Sequence, residues 1–98
     1  MHASLSAPER RVDVRMPVFE PAVVTAIIDG ALHVCRGALV DVGPGGAGVE
    51  LADPGGPDRG TELVLVREDG SRRAGRVAGR SGRTLHIAFV VNVLDAAA

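Results

Sequence analysis

The sequence predicts an all-β protein: a small six-stranded antiparallel β-barrel with an extended N-terminal arm. Three observations lead there. Two-residue turn signals recur at Asp29-Gly30, Asp69-Gly70 and Ser81-Gly82, and Asp-Gly is a strong type I′ hairpin signal because glycine accepts a positive φ and Asp tolerates one. The stretches between these signals are β-branched or alternate in polarity. No run through the middle of the chain carries a helical period.

Taken in order, PAVVTAII (residues 21–28) is rich in β-branched residues and leads through Asp29-Gly30 into ALHVCRGALV. Residues 39–51 read LVDVGPGGAGVEL, in which Gly43, Gly45 and Gly48 spell the G-x-G-x-x-G of a dinucleotide-binding loop. That loop needs a helix whose N-terminal N–H groups hold the pyrophosphate. Here VELADPGGPDRG follows, and Pro54, Gly55, Gly56 and Pro57 stop any helix after about one turn. The glycines therefore belong to a connection between strands, at positions needing an unusual φ or a close approach. Residues 54–60 read as a surface loop.

ELVLVRE then meets RRAGRVAGR through Asp69-Gly70, and the glycines of the latter suggest a bulge or strong curvature. In RTLHIAFV, Leu85, Ile87 and Phe89 alternate with Thr84, His86 and Ala88. Six strands without covering helices would expose edges in an open sheet, and closure into a barrel removes them. The 98 residues suit one domain. Its expected limits are 9–93, with a flexible 1–8, an Arg-bearing arm over 9–21 and a tail over 94–98.

Composition narrows the function. Hydrophobic residues make up 46% of the chain, yet the aromatics are Phe19 and Phe89 alone. Single-stranded nucleic acid would find little to stack on, so a nucleic-acid partner is not expected. Cys35 is the one cysteine, so no internal disulfide forms, and its apolar run suggests a small buried hydrophobe. One Cys with scattered His2, His33 and His86 gives no zinc-ligand spacing, and no constellation of an enzyme is present. We expect no catalytic residues, no metal and no cofactor. No apolar run approaches the roughly 18 residues of a membrane span, and MHASLSAPERR has no apolar signal core, so a cytoplasmic location is expected.

All eleven basic residues are Arg. Coding bias towards Ala, Gly, Arg and Val is one explanation; a use for the planar guanidinium fork is the other. Arg67 to Arg83 holds six Arg against Glu68 and Asp69, a local balance of +4 in a chain of net charge −1. This cluster is either a solvated face or a contact for phosphates or an acidic partner. The N-terminal stretch SAPERRVDVRMPVFEP carries Arg10, Arg11 and Arg15, with Pro17 and Pro21 keeping it extended. Alone it reads as a solvated leader.

Three features combine: R-x-x-x-R at Arg11 and Arg15 before the first strand, Asp41-Val42-Gly43-Pro44-Gly45-Gly46 about 26 residues later, and a final alternating strand HIAFV. In this order the chain resembles the PilZ domain family, receptors for the bacterial second messenger cyclic di-GMP, whose motifs are R-x-x-x-R and [D/N]-x-S-x-x-G. The likeness runs from about Glu9 to Val90 and is closest over Gly37 to Leu51. It implies that Arg11 and Arg15 bind phosphates and guanine edges and stack on the bases. It makes Arg10 an auxiliary contact, Asp41 the acceptor for guanine N–H groups, and Gly46 the turn that lets the backbone approach the ligand. The chemistry suits a compact dianion with two guanines: Arg offers charge-assisted forks to phosphate and to guanine O6/N7, and a carboxylate accepts from N1–H and N2–H.

Gly43 stands where the family has Ser. Losing one neutral hydrogen bond, worth about 0.5–1.5 kcal/mol, predicts roughly two- to twelve-fold weaker affinity. A water can replace the hydroxyl. Two functions follow from the resemblance: a sensor or adaptor that relays cyclic di-GMP to a downstream protein, acting as a monomer or weak homodimer, or a ligand-blind interaction module in motility or pilus function.

Overall fold

The computed structural model describes residues 14–90. Arg10 and Arg11 lie outside the described residues, as do the expected flexible stretch 1–8 and the tail over 94–98. Every regular element among the described residues is a strand: β1 (Met16–Ile28), β2 (Ala31–Val42), β3 (Gly46–Leu51), β4 (Glu62–Arg67), β5 (Arg72–Ser81) and β6 (Thr84–Phe89). They close into an antiparallel barrel in the order β1-β2-β3-β6-β5-β4, with β4 returning to pair with β1. The predicted fold class is the observed one. Met16–Pro21, at the end of the Arg-bearing stretch, forms the first part of β1.

The core follows from the period of two. Ala22, Val24 and Ala26 of β1, Leu39 of β2, Ala47, Val49 and Leu51 of β3, and Leu63 and Leu65 of β4 point inward with Val77, Leu85 and Ile87. It is an aliphatic core, as a chain with two phenylalanines requires. Phe89 packs partly against it, and so does Cys35.

The first turn matches the sequence in place and type, the second in place alone, and the third is shifted by one residue. At Asp29-Gly30 both central residues take positive φ, 52° and 80°, as a type I′ hairpin demands. Asp69-Gly70 does not form that turn. The Gly70 N–H donates to the Arg67 carbonyl, Gly70 alone takes a positive φ of 89°, and Arg67 N–H reaches Ser71 O. This is a three-residue loop ending in a glycine bulge. The Asp69 carboxylate favours it by accepting the Ser71 N–H at 2.8 Å. At the third turn Ser81 pairs with Thr84, so the loop is Gly82-Arg83, one residue beyond the predicted pair, with Gly82 at φ 60° in the first central position as in a type II′ turn.

The bulge expected in β5 lies at Ala78: Val77 faces Ile87, but Gly79 faces His86. It turns Arg80 towards the end of the barrel, where the guanidinium donates to the carbonyls of Pro54, Gly55 and Pro57. The glycine-rich loop at 54–60 is thus anchored by an arginine that the sequence places in a solvated cluster.

Candidate functional site

A second irregularity builds the site. Leu39 is fully buried, and a regular strand would put Asp41, two positions on, on the same inner face. Instead Leu39 pairs with Val49 and Asp41 with Gly48, so β2 gains one residue at Val40 relative to β3. β1 follows with its own extra residue between Pro17 and Glu20. Val49 and Ala47 point into the core, so Gly48 belongs to the outer face and Asp41 is carried there with it. Bulges re-aim side chains in this way.

Arg15, just ahead of β1, meets Asp41 on that face. Its Nη1 donates to Asp41 Oδ1 at 2.9 Å, and both side chains remain about one-third exposed. The pair lies over two glycines of β3. A Cβ added to Gly48 would stand 2.9 Å from Asp41 Oδ2, and one added to Gly46 would stand 2.7 Å from Arg15 Nη2 and collide with the Ile87 carbonyl oxygen. Neither glycine has a positive φ; close approach alone requires them. The floor continues sideways through Ala88, which faces Gly46, and through His86, which faces Gly48.

The structure therefore unites Arg15, Asp41 and Gly46, three of the residues singled out from sequence and separated by up to 31 positions. Gly46 differs from its expected part. It opens strand β3 and seats Arg15, whereas the turn itself is Gly43 to Gly45, closed by Gly43 N–H to Gly46 O at 2.9 Å. Gly48 is the residue sequence reasoning missed. Its signal was present as the third glycine of G-x-G-x-x-G. Phe19 is 84% exposed on the strand that leads away from Arg15.

The Arg67–Arg83 cluster is a different kind of surface. Five of its six arginines have partners within the chain: Arg67 with Glu20, Arg73 over the Phe89 ring, Arg76 with Glu62, Arg80 with loop carbonyls and Arg83 with Ala52 O. Arg67 grips Glu20 with two bonds, at 2.9 and 3.1 Å. The hydrogen bond from Arg67 holds the Glu20 carboxyl below its ordinary range, and Glu20 in turn raises Arg67. Arg67 and Arg80 are thus engaged by the fold itself, Arg80 through bonds to Pro54, Gly55, Pro57 and Gly82.

Ser81 Oγ and His86 Nε2 stand 3.5 Å apart. Both are exposed, and no carboxylate among the described residues bonds to the imidazole, so the pair lacks the orienting group of a nucleophilic site. No group of three metal-ligating side chains exists among the described residues. No helix among them is long and apolar enough to cross a membrane.

No model of a protein family matches the sequence, and no curated protein matches it. Among solved structures, the chain is similar to the PilZ domain of CeSA from a cellulose synthesizing bacterium, with a TM-score of 0.65 and 22% identity over 84% of this chain and 85% of that one. At that identity the likeness shows a shared fold: the barrel is PilZ-like.

Proposed function

We propose that this protein is a non-catalytic cyclic di-GMP sensor or adaptor that passes the signal to a protein partner in the bacterial cytoplasm. The observation that carries the proposal is the Arg15–Asp41 pair. Two residues 26 positions apart, fitting the two motifs of a cyclic di-GMP receptor, meet on an exposed, glycine-floored face of a barrel with the fold of a PilZ domain.

The chemistry of the pair suits the ligand. A carboxylate has about four lone-pair sites, so one bond from Arg15 leaves acceptors for guanine N1–H and N2–H. The Arg15 guanidinium is a fork suited to a phosphate or to guanine O6 and N7. Arg11, four positions earlier, is the second arginine of the motif and shares the phosphates and guanine edges with Arg15, with Arg10 as an auxiliary contact. Gly46 and Gly48 let the pair sit close on the backbone of β3, with both side chains still about one-third exposed to a ligand.

A second reading is favoured by Gly43, which brings no hydroxyl to the β2–β3 turn, and by the exposed Val14, Met16 and Phe19. In it the barrel docks on a protein without ligand. Calorimetric titration separates the two: cyclic di-GMP into the wild type and into an Arg11→Ala plus Arg15→Ala variant, with GMP as control. Saturable binding at micromolar or tighter concentration, lost in the variant, supports the sensor. Absence of heat at ligand concentrations of about a millimolar overturns it and leaves the interaction module.

A further inference from the structure

We infer that Phe19 is the stacking platform for the guanine whose edge Asp41 accepts, an assignment that rests on the cyclic di-GMP reading above. The chain has two phenylalanines and no other aromatic. Phe89 is partly buried against the core with Arg73 over its ring, 4.1 Å from the centroid. Phe19 is 84% exposed, so it forgoes the stabilisation that burying a phenyl ring gives. A lone exposed ring in so aromatic-poor a protein calls for a partner.

Its position says which partner. Pro17 pairs with the outward-facing Asp41, Val18 packs against the core, and Phe19 is exposed, so Pro17 and Phe19 lie away from the core. Pro17 is the cross-strand neighbour of Asp41. Phe19 lies two residues further along the same strand. A base pinned by one edge at Asp41 therefore has a phenyl ring beside it on the same face. The extra residue in β1 falls within this segment, between Pro17 and Glu20, and bulges turn a side chain out of the regular pleat. Arg15 lies on the opposite side of Pro17 along the chain, so charge and stacking surface flank Asp41. Every base has a π-face, so the ring supplies affinity, while Asp41 supplies the choice of guanine.

Two variants test the assignment. Phe19→Ala should weaken cyclic di-GMP binding by roughly 5- to 100-fold, the range for removing one base-stacking aromatic, with the melting temperature within about 2 °C of wild type because the ring is exposed. Phe19→Trp should bind about as tightly as wild type. The natural chain contains no tryptophan, so the indole emission of this variant reports on position 19 alone and should be quenched by the ligand with the calorimetric midpoint. Wild-type binding that persists undiminished in Phe19→Ala, or an indole emission in Phe19→Trp that ligand does not move, overturns the stacking role and assigns the ring to a protein contact. Failure of the wild type itself to bind is a different result, and it removes the cyclic di-GMP reading together with this one.

Discussion

Two arginine-bearing regions on this barrel teach opposite lessons from the same residue type. Over β3, Arg15 and Asp41 form one exposed ion pair on a floor of glycines, and exposed pairs contribute only about 0.2–1 kcal/mol to stability. On β4, β5 and the turn to β6, arginines are spent on the fold. Arg80 ties down the 54–57 carbonyls, Arg67 clamps Glu20 across the β1–β4 junction, and Arg83 holds Ala52 O. The second region carries the greater positive charge, yet the first has the geometry of a site. What each guanidinium touches decides its role; the local charge balance does not.

That contrast is sharpened by substitutions that should separate binding from stability. The largest effect on binding is expected at the exposed pair. Arg15→Ala or Asp41→Ala should each weaken cyclic di-GMP binding by about 10- to 100-fold, the worth of a charge-assisted hydrogen bond, while costing at most about 1 kcal/mol of stability by denaturant titration. Gly46→Ala comes next and acts on both properties. Its new methyl meets the Ile87 carbonyl, which is backbone and cannot swing aside, so unfolding free energy should fall by about 3 kcal/mol, and displacement of Arg15 should weaken binding. Arg80→Ala should do the reverse of Arg15→Ala. Losing the clamp on loop 54–57 should cost about 2 kcal/mol and leave ligand affinity unchanged in calorimetry.

The smallest effect is a pH dependence. Arg67 lowers the pKa of Glu20 in the folded state, so the stabilisation it brings is complete above the ordinary value of about 4.5 and is lost as pH falls through the depressed folded value. Melting curves taken from about pH 7 downward should show wild type above Glu20→Gln at neutral pH and the two converging in acid. A gap that stays constant with pH would contradict the clamp.

The barrel was legible because its rules are local. Leu85 and Ile87 alternate with exposed neighbours, and Gly30, Gly70 and Gly82 sit where the backbone needs a positive φ. The aim of Asp41 was not. It depends on a one-residue slip at Val40, and nothing in the residue type of a valine announces a bulge. From the motif alone Asp41 could be named, but its outward direction, its bond to Arg15 and its seat on Gly48 come from the pairing of three strands. Gly48 was visible as part of a glycine pattern whose usual meaning is a phosphate loop. Its use here is to leave room for a carboxylate. Arg80 was hidden for the same reason as Asp41: the slip at Ala78 redirects it from the solvated row to the barrel end.

On the proposed reading, ligand binds over β3 at the Arg15–Asp41 pair and leaves the arginines of β4 to β6 to the fold. Mapping amide chemical shifts during a cyclic di-GMP titration of the full chain tests it most directly. Saturable shifts are expected at Arg15, Phe19 and Asp41 through Gly48, with His86 and Ala88 beside them and Arg72 to Arg80 still. Shifts centred on Arg72 to Arg83, or none at a ligand concentration of about a millimolar, would contradict it.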